Sequence, residues 1–263
     1  MRMNSTFALI PMALLLGCGG GGAAASSDSS NAGVALDSTN GTSTESALLM
    51  ASTDATVPSM SPGAAASAAA ASAKTWYQPA SCVTATAIGN SVTYVMVDCT
   101  GPWGLVHTSG TVVVSYSVDS AGIHASVSAT ALNVNGAIID INSTGTFSVN
   151  GTTKTLTVAT SGAGIGPLGN QITRQGSYTV TWDSASMCAT LDGNWSTQIG
   201  GALWSTAVSG FEQCKGVCPA HGTIAHTGGL SHVTITVTFD GSAVAKWSTS
   251  NGASGAVNML CGG

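Results

Sequence analysis

Charge is scarce in this chain. Asp, Glu, Lys and Arg together make up 6% of its 263 residues, six cations against eleven acids, for a net charge of −5. The cations of the body, Lys74, Lys154, Arg174, Lys215 and Lys246, are scattered singly. No basic cluster exists to neutralise several phosphates, which excludes a nucleic-acid-binding surface. No apolar run approaches the roughly 20 residues that a membrane-spanning helix requires; the longest near the N-terminus is Phe7 to Leu16. Local catalytic signatures are missing as well. Ser, His and Asp are all present, but with no nucleophile elbow their presence carries no information. Asp140, Asp183 and Asp240 stand at or near the ends of strand-like segments, where turns favour Asp anyway, so they do not single themselves out as paired glycosidase acids.

What is present falls into three parts, 1–17, 18–73 and 74–263. Arg2 followed by the short apolar stretch to Leu16 reads as an export signal. It ends in Leu15-Leu16-Gly17-Cys18, which resembles the lipobox of bacterial lipoproteins: an aliphatic residue, a tolerated residue, a small residue, then cysteine. The resemblance implies cleavage before Cys18, a diacylglyceryl group on its sulfur and an acyl chain on its amino group. Gly19 follows where an aspartate would resemble an inner-membrane retention signal, so the resemblance implies the outer membrane, on its periplasmic or cell-surface face. Several acyl chains anchor durably where a single one would not.

Residues 18–73 are mostly Ala, Ser, Gly and Thr, with Asp28, Asp37, Glu45 and Asp54 and no Lys or Arg. So little bulky apolar surface predicts a disordered tether, with at most transient helix over Ala64 to Ala73.

Residues 74–263 hold all six Trp, all four Tyr, all five His and six of the seven Cys. Here apolar residues alternate with polar ones, the period of a strand. Val112, Val114, Tyr116 and Val118 share a face, as do Tyr178, Val180 and Trp182, and Val233, Ile235, Val237 and Phe239. Asn135-Gly136, Asn150-Gly151, Asp240-Gly241 and Asn251-Gly252 carry hairpin chemistry. The expected fold is all-β: an antiparallel meander of about 12–14 strands, as a sandwich or as a curved or barrel-like sheet. The like segments 178–183 and 236–240 read as strands entering turns rather than as a repeat, since no fixed period persists.

Six cysteines in an exported domain predict disulfides. If Cys82 to Ile88 and Thr93 to Cys99 form a hairpin turning through residues 89–92, then Cys82 opposes Cys99 at bridging distance. For the remainder, Cys188 with Cys214 and Cys218 with Cys261 closes sheet segments onto their neighbours. Cys214 with Cys218 is the alternative.

Three other clusters invite functional readings. Cys214, Cys218, His221 and His226, with His232 nearby, are spaced like zinc ligands, but an oxidising compartment consumes thiolates, so no metal is expected. Gly162, Gly164, Gly166 and Gly169 suggest a phosphate loop, yet a strand pattern rather than a helix follows them, which favours a hairpin connection. His124 and His232 fall on polar strand faces. Trp103, in Gly101-Pro-Trp-Gly104, is the candidate exposed aromatic for a binding contact, whereas Trp182 belongs to a core face and Trp195, Trp204 and Trp247 to weaker strands.

Residues 89–94, 98–104, 166–170, 176–183 and 193–197 are together similar to β-rich lipoproteins of myxobacterial type that carry no assigned activity, so this resemblance transfers no site. The expectation is an envelope lipoprotein with a non-enzymatic structural or partner-binding β domain and no cofactor. It would meet the membrane through its lipid and a protein, glycan or lipid partner through its surface. The competing expectation is a periplasmic carrier that cups an apolar ligand in a curved sheet.

Overall fold

The computed structural model describes residues 42, 45–46, 48–57, 59–101, 107–120, 122–166, 169–183, 185–186, 188–199, 201–214, 217–228 and 232–259. The body is one 13-stranded antiparallel sheet in which every strand pairs with its neighbours in sequence. The first four strands are β1 (Val83–Ile88), β2 (Ser91–Thr100), β3 (His107–Asp119) and β4 (Gly122–Val134). The central run is β5 (Ala137–Asn150), β6 (Thr153–Ile165), β7 (Gln171–Asp183), β8 (Cys188–Ile199) and β9 (Ala202–Cys214). Four short strands complete it: β10 (Thr223–Gly228), β11 (Val233–Thr238), β12 (Val244–Thr249) and β13 (Ser254–Asn258). β1 and β13 remain edges, so the meander is neither a two-sheet sandwich nor a closed barrel.

The two-residue period assigns the faces. Val112, Val114 and Tyr116 on β3, Leu156 and Val158 on β6, and Tyr178, Val180 and Trp182 on β7 are buried, while the residues between them are polar except for the exposed Val113. Val118 departs from its row and is exposed, near the end of β3.

The Ala-rich segment is a stable helix, α1 (Pro62–Trp76), rather than tether. Ser61 caps it by accepting a hydrogen bond from the Ala64 N–H at 3.3 Å, and Pro62 occupies the first turn, where its missing N–H costs nothing. Ala65, Ala69, Ala73 and Trp76 form a buried stripe against β1, β2 and β3. In isolation this length of helix is marginal; the packed stripe supplies what propensity lacks.

The expectation of disorder also fails just upstream. Thr42, Glu45, Ser46 and residues 48–53 are helical, and Leu48, Leu49, Met50 and Ala51 are buried. This segment lies on the apolar face of the sheet. The Tyr116 hydroxyl donates to the Ser52 carbonyl at 2.6 Å, and Lys154 Nζ and Trp182 Nε1 donate to Asp54 Oδ1 at 2.7 and 3.1 Å. Low apolar content misleads here because one short apolar run, Leu48 to Ala51, joined by small residues and two acids, is enough to fit the face.

Cys82–Cys99 and Cys188–Cys214 are disulfides. The first has a Cα separation of 5.2 Å, but not for the expected reason. Ile88 pairs with Ser91, so the turn is Gly89-Asn90 alone, and Ser91 and Val92 belong to β2. In that register Cys82 would miss Cys99. A β-bulge between Met96 and Cys99, with Asp98 at a φ of 53°, re-aims Cys99 toward the 3-10 turn Ala80–Cys82. Because Cys214 is bonded to Cys188, the alternative Cys214–Cys218 pairing does not form. Cys218 is itself disulfide-bonded; its expected partner Cys261 lies outside the described residues.

Candidate functional site: an uncharged polar trough

The register aligns the solvent-facing residues of the central strands into rows. Ser128, Asn142, Ser161, Gln175, Ser196 and Ser205 are successive cross-strand partners from β4 to β9. One row over, Ser115, Ser126, Thr144, Ala159, Ser177 and Asn194 do the same from β3 to β8. Neighbouring strands lie about 4.8 Å apart, so each row presents hydroxyls and amides at that spacing. Both rows border a trough of about 910 Å³. On the solvent-facing side its lining is Ser, Thr, Asn and Gln with Val113 and Ala159, and among the described residues that line it there is no acid, base or thiol. Such a surface can exchange hydrogen bonds with a neutral polar partner. It holds no group able to take up a proton near neutral pH or to act as an activated nucleophile.

The charged groups lie elsewhere. On the opposite, apolar face, Arg174 stacks 4.5 Å above the Trp195 ring and donates to the Thr42 hydroxyl, while the Ser143 hydroxyl donates to the Glu45 carboxylate. Burial lowers the Arg174 pKa, and the nearby Glu45 carboxylate works against that shift. Desolvation likewise raises the Tyr178 phenol well above its ordinary range, and the Glu45 charge adds to the effect. Asp54 and Lys154 form a partly buried ion pair at 2.7 Å. These pairs join residues 42–54 to β5, β6 and β7. Lys154 and Arg174 share strand parity with Leu156 and Tyr178, so both are cations on an inward face. That parity was the available signal that upstream acids must meet them.

The residues of the zinc-like spacing are dispersed among other partners. Cys214 and Cys218 are in disulfides, so neither offers a thiolate. Glu212 lies close to the Cys188–Cys214 bridge and pairs with His221, Oε2 to Nε2, at 2.9 Å. His226 is buried, stacked on Trp204 at 4.9 Å and hydrogen-bonded through Nδ1 to Thr206 at 2.8 Å; desolvation lowers its pKa to about 4. His124 is half-buried between Asp119 and Thr146, and His232 is exposed at a turn with a φ of 49°. Of the glycine cluster, Gly162 and Gly164 lie within β6, while Gly166 and Gly169 close the turn to β7 through a 2.9 Å backbone hydrogen bond. Trp76, Trp182, Trp195 and Trp247 are core residues, and Trp204 is half-buried. Cys18, Trp103 and Cys261 lie outside the described residues. No protein-family model, curated protein or solved structure matches the chain.

Proposed function

We propose that this chain is an outer-membrane lipoprotein, anchored through Cys18, whose β domain is non-enzymatic and binds an envelope partner through its uncharged polar face. The observation that carries the binding half of this reading is the trough: seven strands contribute hydroxyls and amides to one surface, and none contributes an ionisable group. The anchoring half rests on Leu15-Leu16-Gly17-Cys18. The competing role as a carrier of an apolar ligand has less support, because residues 42–54 of the same chain cover the sheet's apolar face.

Labelled palmitate tests the anchor. Cells expressing the wild-type chain should yield a labelled protein that resists carbonate extraction from membranes, with the label on the peptide that begins at Cys18. The Cys18→Ala variant should be unlabelled. A wild-type protein that takes up no label would overturn the lipoprotein reading. Ser161→Arg together with Gln175→Arg tests the face: retention of the purified protein on isolated outer-membrane fragments should fall, because two unpaired cations then occupy the middle of the trough. Unchanged retention would remove the trough from the binding role.

A further inference from the structure

The two ends of the sheet differ in chemistry. One end carries the Asn135-Gly136 turn, Gly166, Gly169 and Asn170 between β6 and β7, and Gly201 before β9. Next to them, Ile138 on β5 pairs directly with Ile165 on β6, and the two are 41% and 52% exposed; Leu203 on β9 is 64% exposed. On the other face at the same end, Ile139, Gly164, Ile172 and Ile199 succeed one another across β5 to β8, and the three isoleucines are half-buried. Among the described residues, the ionisable side chains in this half of β5–β9 are Asp140, which accepts the Ala131 N–H at 2.8 Å, and the buried Arg174. The exposed Asp98–His107 pair stands at this same end, where the His107 carbonyl accepts the Asn135 N–H at 2.9 Å, and so does the exposed His232 before β11. At the opposite end stand Asp119, Asp183, Glu212, His221, Asp240 and Lys246. Exposed aliphatic residues gathered on a rim with few charged side chains mark a surface that leaves water on binding.

The direction of the N-terminal segment supplies the second observation. Thr42 meets Arg174, near the start of β7; Glu45 meets Ser143, at mid-strand; Ser52 meets Tyr116, and Asp54 meets Lys154 and Trp182, near the far end. Followed backwards from Asp54, the segment therefore reaches Thr42 at the aliphatic end, and residues 19–41 separate Thr42 from Cys18 in the sequence.

We propose that this end of the domain docks directly on the lipid bilayer, with Ile138, Ile165 and Leu203 entering the boundary between headgroups and acyl chains; the proposal rests on the lipid anchor at Cys18. The occupant is a bilayer because Thr42 lies at this same end, separated from the anchored Cys18 only by residues 19–41, so the anchor holds the rim at high effective concentration beside lipid. The contact is apolar rather than electrostatic. A protein of net charge −5 gains nothing from anionic headgroups, and the rim has no cations to offer them.

The test uses the mature chain without its lipid: residues 19–263 exported behind a cleavable secretory leader, then mixed with vesicles of phosphatidylethanolamine and phosphatidylglycerol. The protein should cosediment with vesicles, and raising the salt should not release it. Replacing Ile138, Ile165 and Leu203 together with Ser should lower the partition coefficient about tenfold or more. Ile88→Ser removes the most exposed of the large aliphatic side chains, 77% exposed, from the opposite end of the sheet, and should change nothing. All three substituted sites are exposed, so an unchanged thermal midpoint verifies the fold. Absence of vesicle binding, binding that the triple variant retains, or equal loss in Ile88→Ser would each overturn the proposal; in the first case the rim is left to a protein partner. Palmitate labelling reports on Cys18 independently of all these outcomes.

Discussion

Tyr178 on β7 stands directly opposite Gly193 on β8, and two residues along the same strands Trp195 stands opposite Gly176. A Cβ at Gly193 would lie 2.5 Å from the Tyr178 Cβ, and one at Gly176 would lie 2.4 Å from the Trp195 Cβ. Trp204 opposite Gly228 and Trp247 opposite Gly255 repeat the arrangement. Large rings and glycines thus alternate across the buried face, and each ring covers the backbone that a glycine leaves open. Gly176→Ala and Gly193→Ala should each destabilise the protein by about 1–3 kcal/mol through overpacking. Gly201→Ala, with nothing within 4 Å of its added Cβ, should stay within about 0.5 kcal/mol of wild type. Urea unfolding of the three variants decides it; equal losses at all three positions would mean that the ring–glycine pairs do not set the packing.

The Asp54–Lys154 pair makes residues 42–54 part of the fold. Each of its side chains is about one-fifth exposed, 20% and 18%, and Trp182 donates to the same carboxylate oxygen. Asp54→Ala removes the acceptor of the Trp182 N–H and leaves Lys154 only the backbone carbonyl of residue 54, and should cost about 1–3 kcal/mol. Glu45→Ala removes the acid nearest to the buried Arg174 and should cost at least as much. Deleting residues 42–54 should lower the thermal midpoint by more than either substitution. A deletion that leaves the midpoint unchanged would show that these contacts contribute nothing to stability.

The β body was legible in the sequence because its signal is local. Alternation in Val112–Tyr116 and Tyr178–Trp182 assigns faces, and Asn-Gly or Asp-Gly marks several turns. The N-terminal contacts were not legible, because nothing local distinguishes an Ala- and Ser-rich segment that binds a sheet from one that does not. What distinguishes this one is complementarity at long range: Glu45 and Asp54 meet cations more than 90 residues away in sequence. The register of β1 and β2 was misread for a related reason. Two strands joined by a short turn accept either a two-residue or a four-residue connection, and the bulge at Asp98 that reconciles the shorter one with the Cys82–Cys99 bridge depends on pairing with β3. The polar trough was hidden in plain composition, since Ser128, Ser161 and Ser196 become a row only once the register is known.

The Cys82–Cys99 bridge closes a separation of 17 residues and ties the turn after α1 to β2. In the chain-entropy account such a loop corresponds to roughly 3 kcal/mol, a large share of the roughly 5–15 kcal/mol of an ordinary domain. The variant carrying both Cys82→Ala and Cys99→Ala should therefore unfold at lower urea while keeping its strand signal in circular dichroism, with Cys188 still linked to Cys214 in a non-reducing peptide map. A map that joins Cys188 to any other cysteine would mean that the first bridge also directs the pairing of the second.

His226 gives the protein a calculable response to acid. It is buried on β10 against Trp204, with Thr206 on Nδ1, and desolvation holds its pKa at about 4 against an ordinary value of 6.5. Unfolding returns the imidazole to water, so between those two pH values the unfolded chain binds a proton that the folded chain does not. Stability from this site is thus fully present above about pH 6.5 and declines as the pH falls toward 4, by at most about 1.4 kcal/mol per pH unit. His226→Gln retains a polar group that can reach Thr206 but does not titrate. Its unfolding free energy should differ from wild type by a constant amount above pH 7, and the difference should shift in the variant's favour as the pH drops from 6.5 to 4.5. Parallel wild-type and variant curves over that range would show that His226 is protonated as readily in the folded state as in the unfolded one.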